Sequence, residues 1–179
     1  MAAAAGDRRP DPAREQGLAV GTCQNGLRRD HLLLAIVHHL LVFTLAGILA
    51  FEIGTVSVNM QGSEIQRVGR VDLWYGILAG VIIIVGFLRA TVAAKGWAYY
   101  SVNLFFWLKI ATFLVIGLLS IPPTVQFIRW QRALAANAAF SPDTDAVNNV
   151  RRFLWVEALL FLLLPVFAAA MARGYGELA

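Results

Sequence analysis

The sequence predicts an all-α, polytopic membrane protein built as one four-transmembrane-helix bundle. Three observations carry that prediction. Of the 179 residues, 59% are apolar, and the mean hydropathy of +0.66 exceeds what an ordinary water-soluble domain carries. The apolar residues gather in four runs, each near the roughly 20 residues a helix needs to cross about 30 Å of hydrocarbon. The cations behind the formal charge of +4 are mostly arginines that flank these runs. Such placement marks anchors at the membrane surface and gives no expectation of nucleic-acid binding.

Residues 1–29 are rich in Ala, Gly, Arg and Asp without apolar periodicity and read as a disordered polar leader. Residues 30–179 form the transmembrane domain. Cys23, the single cysteine, lies in the leader, so an internal disulfide and a CxxC pair are excluded. Span one covers about 30–53, too long for the apolar region of a secretory signal and followed by three more spans, so it is retained. The polar stretch Ser57 to Arg70 supplies the first connection. Span two covers about 72–88, with Gly76 and Gly80 in the GxxxG spacing that lets a second helix approach, either within the chain or from another copy. Arg89 to Lys95 makes a tight polar turn, and Gly96, Trp97, Tyr99 and Tyr100 sit where an interfacial aromatic belt belongs. Span three covers about 101–121. Pro122 and Pro123 end or kink it, with Arg129 and Arg132 emerging among the headgroups. Ser141-Pro142-Asp143 has the order of a helix start, and span four covers about 153–172, interrupted by Pro165. Flanking cations divide almost evenly between the two faces, so they do not orient the chain.

Polar side chains inside spans cost several kcal/mol, roughly, and each needs a partner, a cavity or a cofactor. All three histidines, His31, His38 and His39, fall in span one, and Glu52 closes it. Seven-residue steps drift only about 20° around a helix, so His31, His38 and Glu52 share one face and His39 points about 100° away from His38. Spans one and three enter from the same side. His38 and Lys109 each lie about eight residues in, roughly 12 Å deep, and are expected to share a layer. From the other side, Glu52, Arg70, Asp72 and Glu157 have matching depths and form a second expected polar network, whose plainest role is to fix helix register. His38 and His39 at mid-depth either hydrogen-bond between helices or contact haem or a metal, since neutral imidazole is a common axial ligand. A multi-ligand metal site is not expected: no second helix supplies a histidine and no HExxH occurs. His38 is then the metal ligand, and Lys109 a second ligand, a propionate partner or the holder of an anionic substrate group. P-loop and serine-hydrolase motifs are absent.

From about Asp30 to Arg173 the chain resembles a family of small four-helix bacterial inner-membrane proteins defined by a domain of unknown function. The residues carrying the resemblance are His38-His39 followed by Glu52, Arg70-x-Asp72-x-x-Tyr75, Gly86-x-x-Arg89, Lys95-Gly96-x-x-Tyr99-Tyr100-x-x-Asn103, Lys109, and Ser120-Ile121-Pro122-Pro123-Thr124. More remotely, a His in span one and a Lys in span three resemble the four-helix haem-associated membrane proteins that include a bacterial protoporphyrinogen oxidase and copper-resistance membrane proteins. That likeness implies a haem b or porphyrin site with His38 as ligand and Lys109 in the same layer. The absence of histidine beyond span one departs from a bis-histidine cytochrome b.

Two functional expectations follow: a haem-associated redox protein of the bacterial inner membrane with His38 as single axial ligand, or a non-enzymatic transport or membrane-complex assembly component with Lys109, Glu52 and Glu157 lining a polar path. The expected partners are the lipid bilayer and, through the glycine face, a second copy or a membrane-complex partner.

Overall fold

A seven-residue pattern of buried side chains organises the bundle. The structure, a computed structural model, describes residues 12–92, 97 and 101–177. Six helices follow in order: α1 Pro12–Thr55, α2 Gly62–Val92, α3 Leu104–Leu119, α4 Ile121–Ala136, α5 Thr144–Phe161 and α6 Leu163–Ala172. Four stretches are long and apolar enough to span a membrane: Leu32–Thr55, Gly62–Thr91, Leu104–Ala136 and Thr144–Ala172. The third joins α3 to α4, and the fourth joins α5 to α6. Among the described residues the one extended pairing is a single bridge between Asn103 and Glu177.

Helix α1 begins at Pro12, within the stretch read from sequence as a leader; residues 1–11 lie outside the described residues. Proline at the first helical position is favourable because its missing N–H has no partner there anyway. The Ala, Arg, Glu, Gln and Leu that follow are strong helix formers. Helix α2 also starts early, at Gly62, so the first connection shrinks to residues 56–61. The backbone N–H of Gln61 donates to Glu64 Oε2 at 2.8 Å, the reach-back of a capping box. Polar composition hid this turn of helix, whose Ile65 and Val68 are buried. Helix α5 is capped by Asp143, which accepts from the N–H of Asp145, two residues beyond the cap expected at Ser141.

Prolines set the two breaks. Pro122 and Pro123 occupy the second and third positions of α4, and the span continues through the break instead of leaving the bundle. Ser120 joins the helices, with its N–H on the Ile116 carbonyl and its hydroxyl on that of Gly117. Pro165 lies in the first turn of α6, where its ring would clash with a continuous helix, and the chain breaks at Leu162.

The spans pack in a ring: α1 on α2, α2 on α4, α4 on α5, α3 on α6, and α5 back on α1. On α2 the buried residues Ile65, Val68, Asp72 and Tyr75 follow steps of three and four, with Ile82 a further seven on, and Val147, Val150, Leu154, Glu157, Phe161 and Leu164 keep the same steps of three and four along α5 and α6. Leu45, Leu49, Glu52 and Val56 do the same on α1. This is the spacing that keeps one stripe of each helix facing its neighbours. The opposite faces expose Phe43, Leu73, Trp74, Ile84, Phe87, Leu118, Leu159 and Leu162, a surface suited to lipid tails. Gly76 and Gly80 belong to that outer surface, with open space where a side chain would stand, so their GxxxG face takes no part in packing among the described residues.

A turn at the C-terminal end of α6 closes one end of the bundle. Gly174 and Gly176 have φ of +80° and +82°, a conformation that side-chain-bearing residues rarely adopt. They fold the chain back onto α3, where the Leu104 N–H donates to the Gly176 carbonyl at 2.8 Å. A Cβ on Gly176 would stand 2.6 Å from the Phe105 ring. Asn103, fully buried, ties the turn down: its Oδ1 accepts from the N–H groups of Phe105 and Phe106, and its Nδ2 donates to the Tyr175 carbonyl at 3.0 Å.

Candidate functional site: two polar layers in the bundle

The stripes that pack the bundle carry polar residues at two levels. Glu52 replaces an apolar residue in the α1 stripe, Asp72 and Tyr75 do so in α2, and Glu157 in α5. All four are buried, Glu52 at 2% exposure and Glu157 at 1%. The Tyr75 hydroxyl donates to Glu157 Oε2 at 3.3 Å. From α4, the Thr124 hydroxyl donates to Asp72 Oδ1 at 2.9 Å, so the residue behind the two prolines belongs to the same layer.

What this layer lacks defines it. Glu52 Oε1 and Glu157 Oε1 are buried and have no hydrogen-bond partner. The charged groups that act on Glu52 are Asp72 and Glu157, and the one that acts on Glu157 is Asp72. Three carboxyl groups thus share a low-dielectric space, and among the described residues none of them is paired with a cation. Such groups need a proton or a metal cation to be held there. The carboxyl groups do not converge on one point: among the described residues no three His, Cys, Asp or Glu are placed to ligate a metal ion. Arg70, expected in this network, is exposed and lies outside it. It stands two positions, roughly 200°, around α2 from Asp72. Arg151, at this end of the bundle, donates to the Val56 backbone carbonyl at 2.8 Å.

The second layer lies fourteen residues away on both α1 and α2, about 21 Å along the helix axes. His38 packs against Gly86, where a Cβ would stand 3.4 Å from its Cε1. Its Nδ1 is buried without a hydrogen-bond partner. Lys109 and Arg89 act on it electrostatically, and Lys109 feels Arg89 in turn. The Lys109 Nζ sits 5.7 Å from the centre of the Phe106 ring, and Trp97 meets Phe106 edge-on at 6.0 Å. Tyr99, Tyr100 and Lys95 lie outside the described residues. His39 is exposed and turned away, with Nδ1 2.6 Å from the Ala35 carbonyl one turn back.

Between the layers the interior is dry. Leu45, Leu49, Ile82, Phe161 and Leu164 are buried there. On the far side of the carboxyl layer Val56, Met60, Val68, Val147 and Val150 form a second apolar seal.

Sequence reasoning missed Tyr75, Thr124 and Asn103 as site or anchoring residues. Tyr75 was within reach, because it follows Asp72 by three positions on the same stripe. Thr124 and Asn103 depend on partners 52 and 72 residues away and have no local signal.

Four apolar spans around buried polar layers define a multispanning α-helical membrane protein. Residues 30–176 match the family described as predicted membrane protein DUF2214, and the chain belongs to that family. No curated protein and no solved structure matches it. The family match does not extend to the likeness to haem-associated proteins.

Proposed function

We propose that this protein is a carrier of the transport class, set in a bacterial inner membrane, that takes up and releases protons at the Glu52, Asp72, Tyr75 and Glu157 layer. The observation supporting this reading is the pair of fully buried carboxylate oxygens without partners, on different helices, in a layer whose charged neighbours are all acidic. A layer that only fixed helix register would be expected to pair each carboxylate with a cation or donor. Ionisable groups of this kind inside spans mark proton and ion paths. The apolar seals on both sides make the arrangement an occluded state, from which protons leave only when the helices move.

The test is proton uptake into proteoliposomes holding a pH-sensitive dye, driven by a potassium diffusion potential. Wild-type protein is expected to exceed empty vesicles at least severalfold, with Glu157→Gln at background. A wild-type rate equal to that of empty vesicles, or an unaffected Glu157→Gln rate, refutes the proposal.

A second reading retains haem b, favoured by the unpartnered Nδ1 of His38 beside Lys109. These residues fit a porphyrin held through one axial imidazole, with the Lys109 charge available to a propionate; iron would supply one-electron chemistry. Protein purified from haem-replete cells is then expected to show a Soret band that His38→Ala removes and His39→Ala leaves, since His39 faces outward. A colourless, folded preparation refutes it. The mass of the same particle reports whether a second copy is present.

A further inference from the structure

Among the described residues, the layer around His38 has an excess of positive charge, from Arg89 and Lys109, with no carboxylate acting on His38 or Lys109. His38, Arg89 and Lys109 come from α1, α2 and α3 and are each half-buried. Arg89 follows Gly86 by three positions, one turn toward the end of α2, and so stays on the stripe that faces His38. The electrostatic neighbours of His38 are Lys109, Arg89 and His39, and that of Lys109 is Arg89. No described carboxylate acts on either residue. Glu177 reaches this end of the bundle through its bridge to Asn103, yet it is exposed and its charge is not among those felt by Lys109. Two like charges drawn together in a partly dry space repel each other, and an anion between them removes that repulsion while adding charge-assisted hydrogen bonds.

Depth and shape indicate the anion. Arg89 lies two residues inside the end of its span at Thr91, Lys109 five residues inside Leu104 and His38 six inside Leu32, which places the three about 3 to 9 Å below those ends. A long lysine or arginine side chain at such a depth can extend its charged end to the lipid headgroups. Phe106 under Lys109, Trp97 against Phe106, and Phe87 6.2 Å from Trp97 give the cations an apolar wall. The guanidinium offers paired donors to a phosphate, the ammonium a point charge, and the buried His38 Nδ1 a third polar contact. We propose that His38, Arg89 and Lys109 bind a phosphate group, presented either by an anionic membrane lipid or as a free phosphate ion. This site is independent of the carboxyl layer and of the transport reading.

The experiment measures the thermal unfolding midpoint of the full chain, purified in a neutral detergent, with added phosphatidylglycerol, phosphatidylcholine or inorganic phosphate. Phosphatidylglycerol is expected to raise the wild-type midpoint by roughly 5 °C, with little effect from phosphatidylcholine. Lys109→Met and Arg89→Gln are each expected to lose most of that rise, while Arg132→Gln, an exposed arginine at the other end, keeps it. A rise with inorganic phosphate alone that both variants lose supports the site and identifies a free ion as its ligand. No rise in wild type with either additive overturns the proposal, whatever the variants do. A rise that the variants share with wild type also overturns it, as does a Soret band in the preparation, since a porphyrin would then occupy the layer.

Discussion

Glu52→Met is expected to make the protein more stable and inactive at once. Glu52 is almost fully enclosed, one of its oxygens has no partner, and its charged neighbours are carboxyl groups. Replacing a buried polar group of this kind with an apolar side chain of similar volume removes a desolvation cost and a repulsion while keeping the packing. Comparable replacements of buried charges gain roughly 1–4 kcal/mol. A gain near 2 kcal/mol corresponds to a midpoint about 4–8 °C higher for a chain of this size. Methionine suits the site because its flexible thioether adapts to the space between Leu45, Leu49 and Val56. Proton uptake into vesicles is expected to fall to background. Thermal unfolding and flux measured on one preparation check both halves. A stabilised variant with full flux would remove Glu52 from the proton path, and a destabilised one would mean that the carboxyl group has a partner. Glu157→Met is a weaker version of the same experiment, since it strands the Tyr75 hydroxyl that now donates to Glu157.

Asn103→Ala has the largest expected destabilisation. One buried side chain makes three hydrogen bonds that serve two separate elements: two cap the start of α3 and one holds the turn after α6. Alanine removes all of them and takes away the Asn103 partner of the Phe105 N–H and the Tyr175 carbonyl, while the Phe106 N–H keeps its contact with the Asn103 backbone carbonyl. Loss of a helix cap costs typically about 1 kcal/mol, and each stranded buried group roughly 1–3 kcal/mol, so a loss of about 3 kcal/mol is expected. Thermal unfolding reads the total. Carboxypeptidase digestion reads the turn separately, because residues 173–177 should be released from Asn103→Ala at temperatures where wild type resists. Asn103→Asp, which keeps the capping acceptor but cannot donate to Tyr175, should fall between the two. Equal stability of Asn103→Ala and wild type would show that the C-terminal turn is not anchored here.

Much of this architecture was legible because a membrane span declares itself by length and composition, and because a seven-residue repeat puts every seventh side chain on one face. His38 and Glu52 share a face of α1 for that reason. The same arithmetic places His39 and Arg70 off the stripes: one step separates His39 from His38, and two separate Arg70 from Asp72. Matching depth brought Arg70 into the expected network, and angle takes it out. The ends of the spans were harder to read. Polar residues between Gly62 and Arg70 suggested a loop, but the buried Ile65 and Val68 repeat the helical stripe through them, and that pattern outweighs average polarity. Thr124 and Asn103 were illegible for a different cause. Their partners sit on other helices, and only the ring order of the bundle, with a break at Ser120 and a turn at Gly174, brings them into contact.

The dry interval of Leu45, Leu49, Ile82 and Phe161 has an electrical meaning. Spread evenly over about 30 Å of hydrocarbon, a membrane voltage falls by about two-thirds of its value over the roughly 21 Å between the two polar layers. A unit charge passing from one layer to the other would gain or lose roughly 1.6 kcal/mol for each 100 mV across the membrane. The protein is in this respect a small capacitor, with carboxyl groups on one plate and cations on the other.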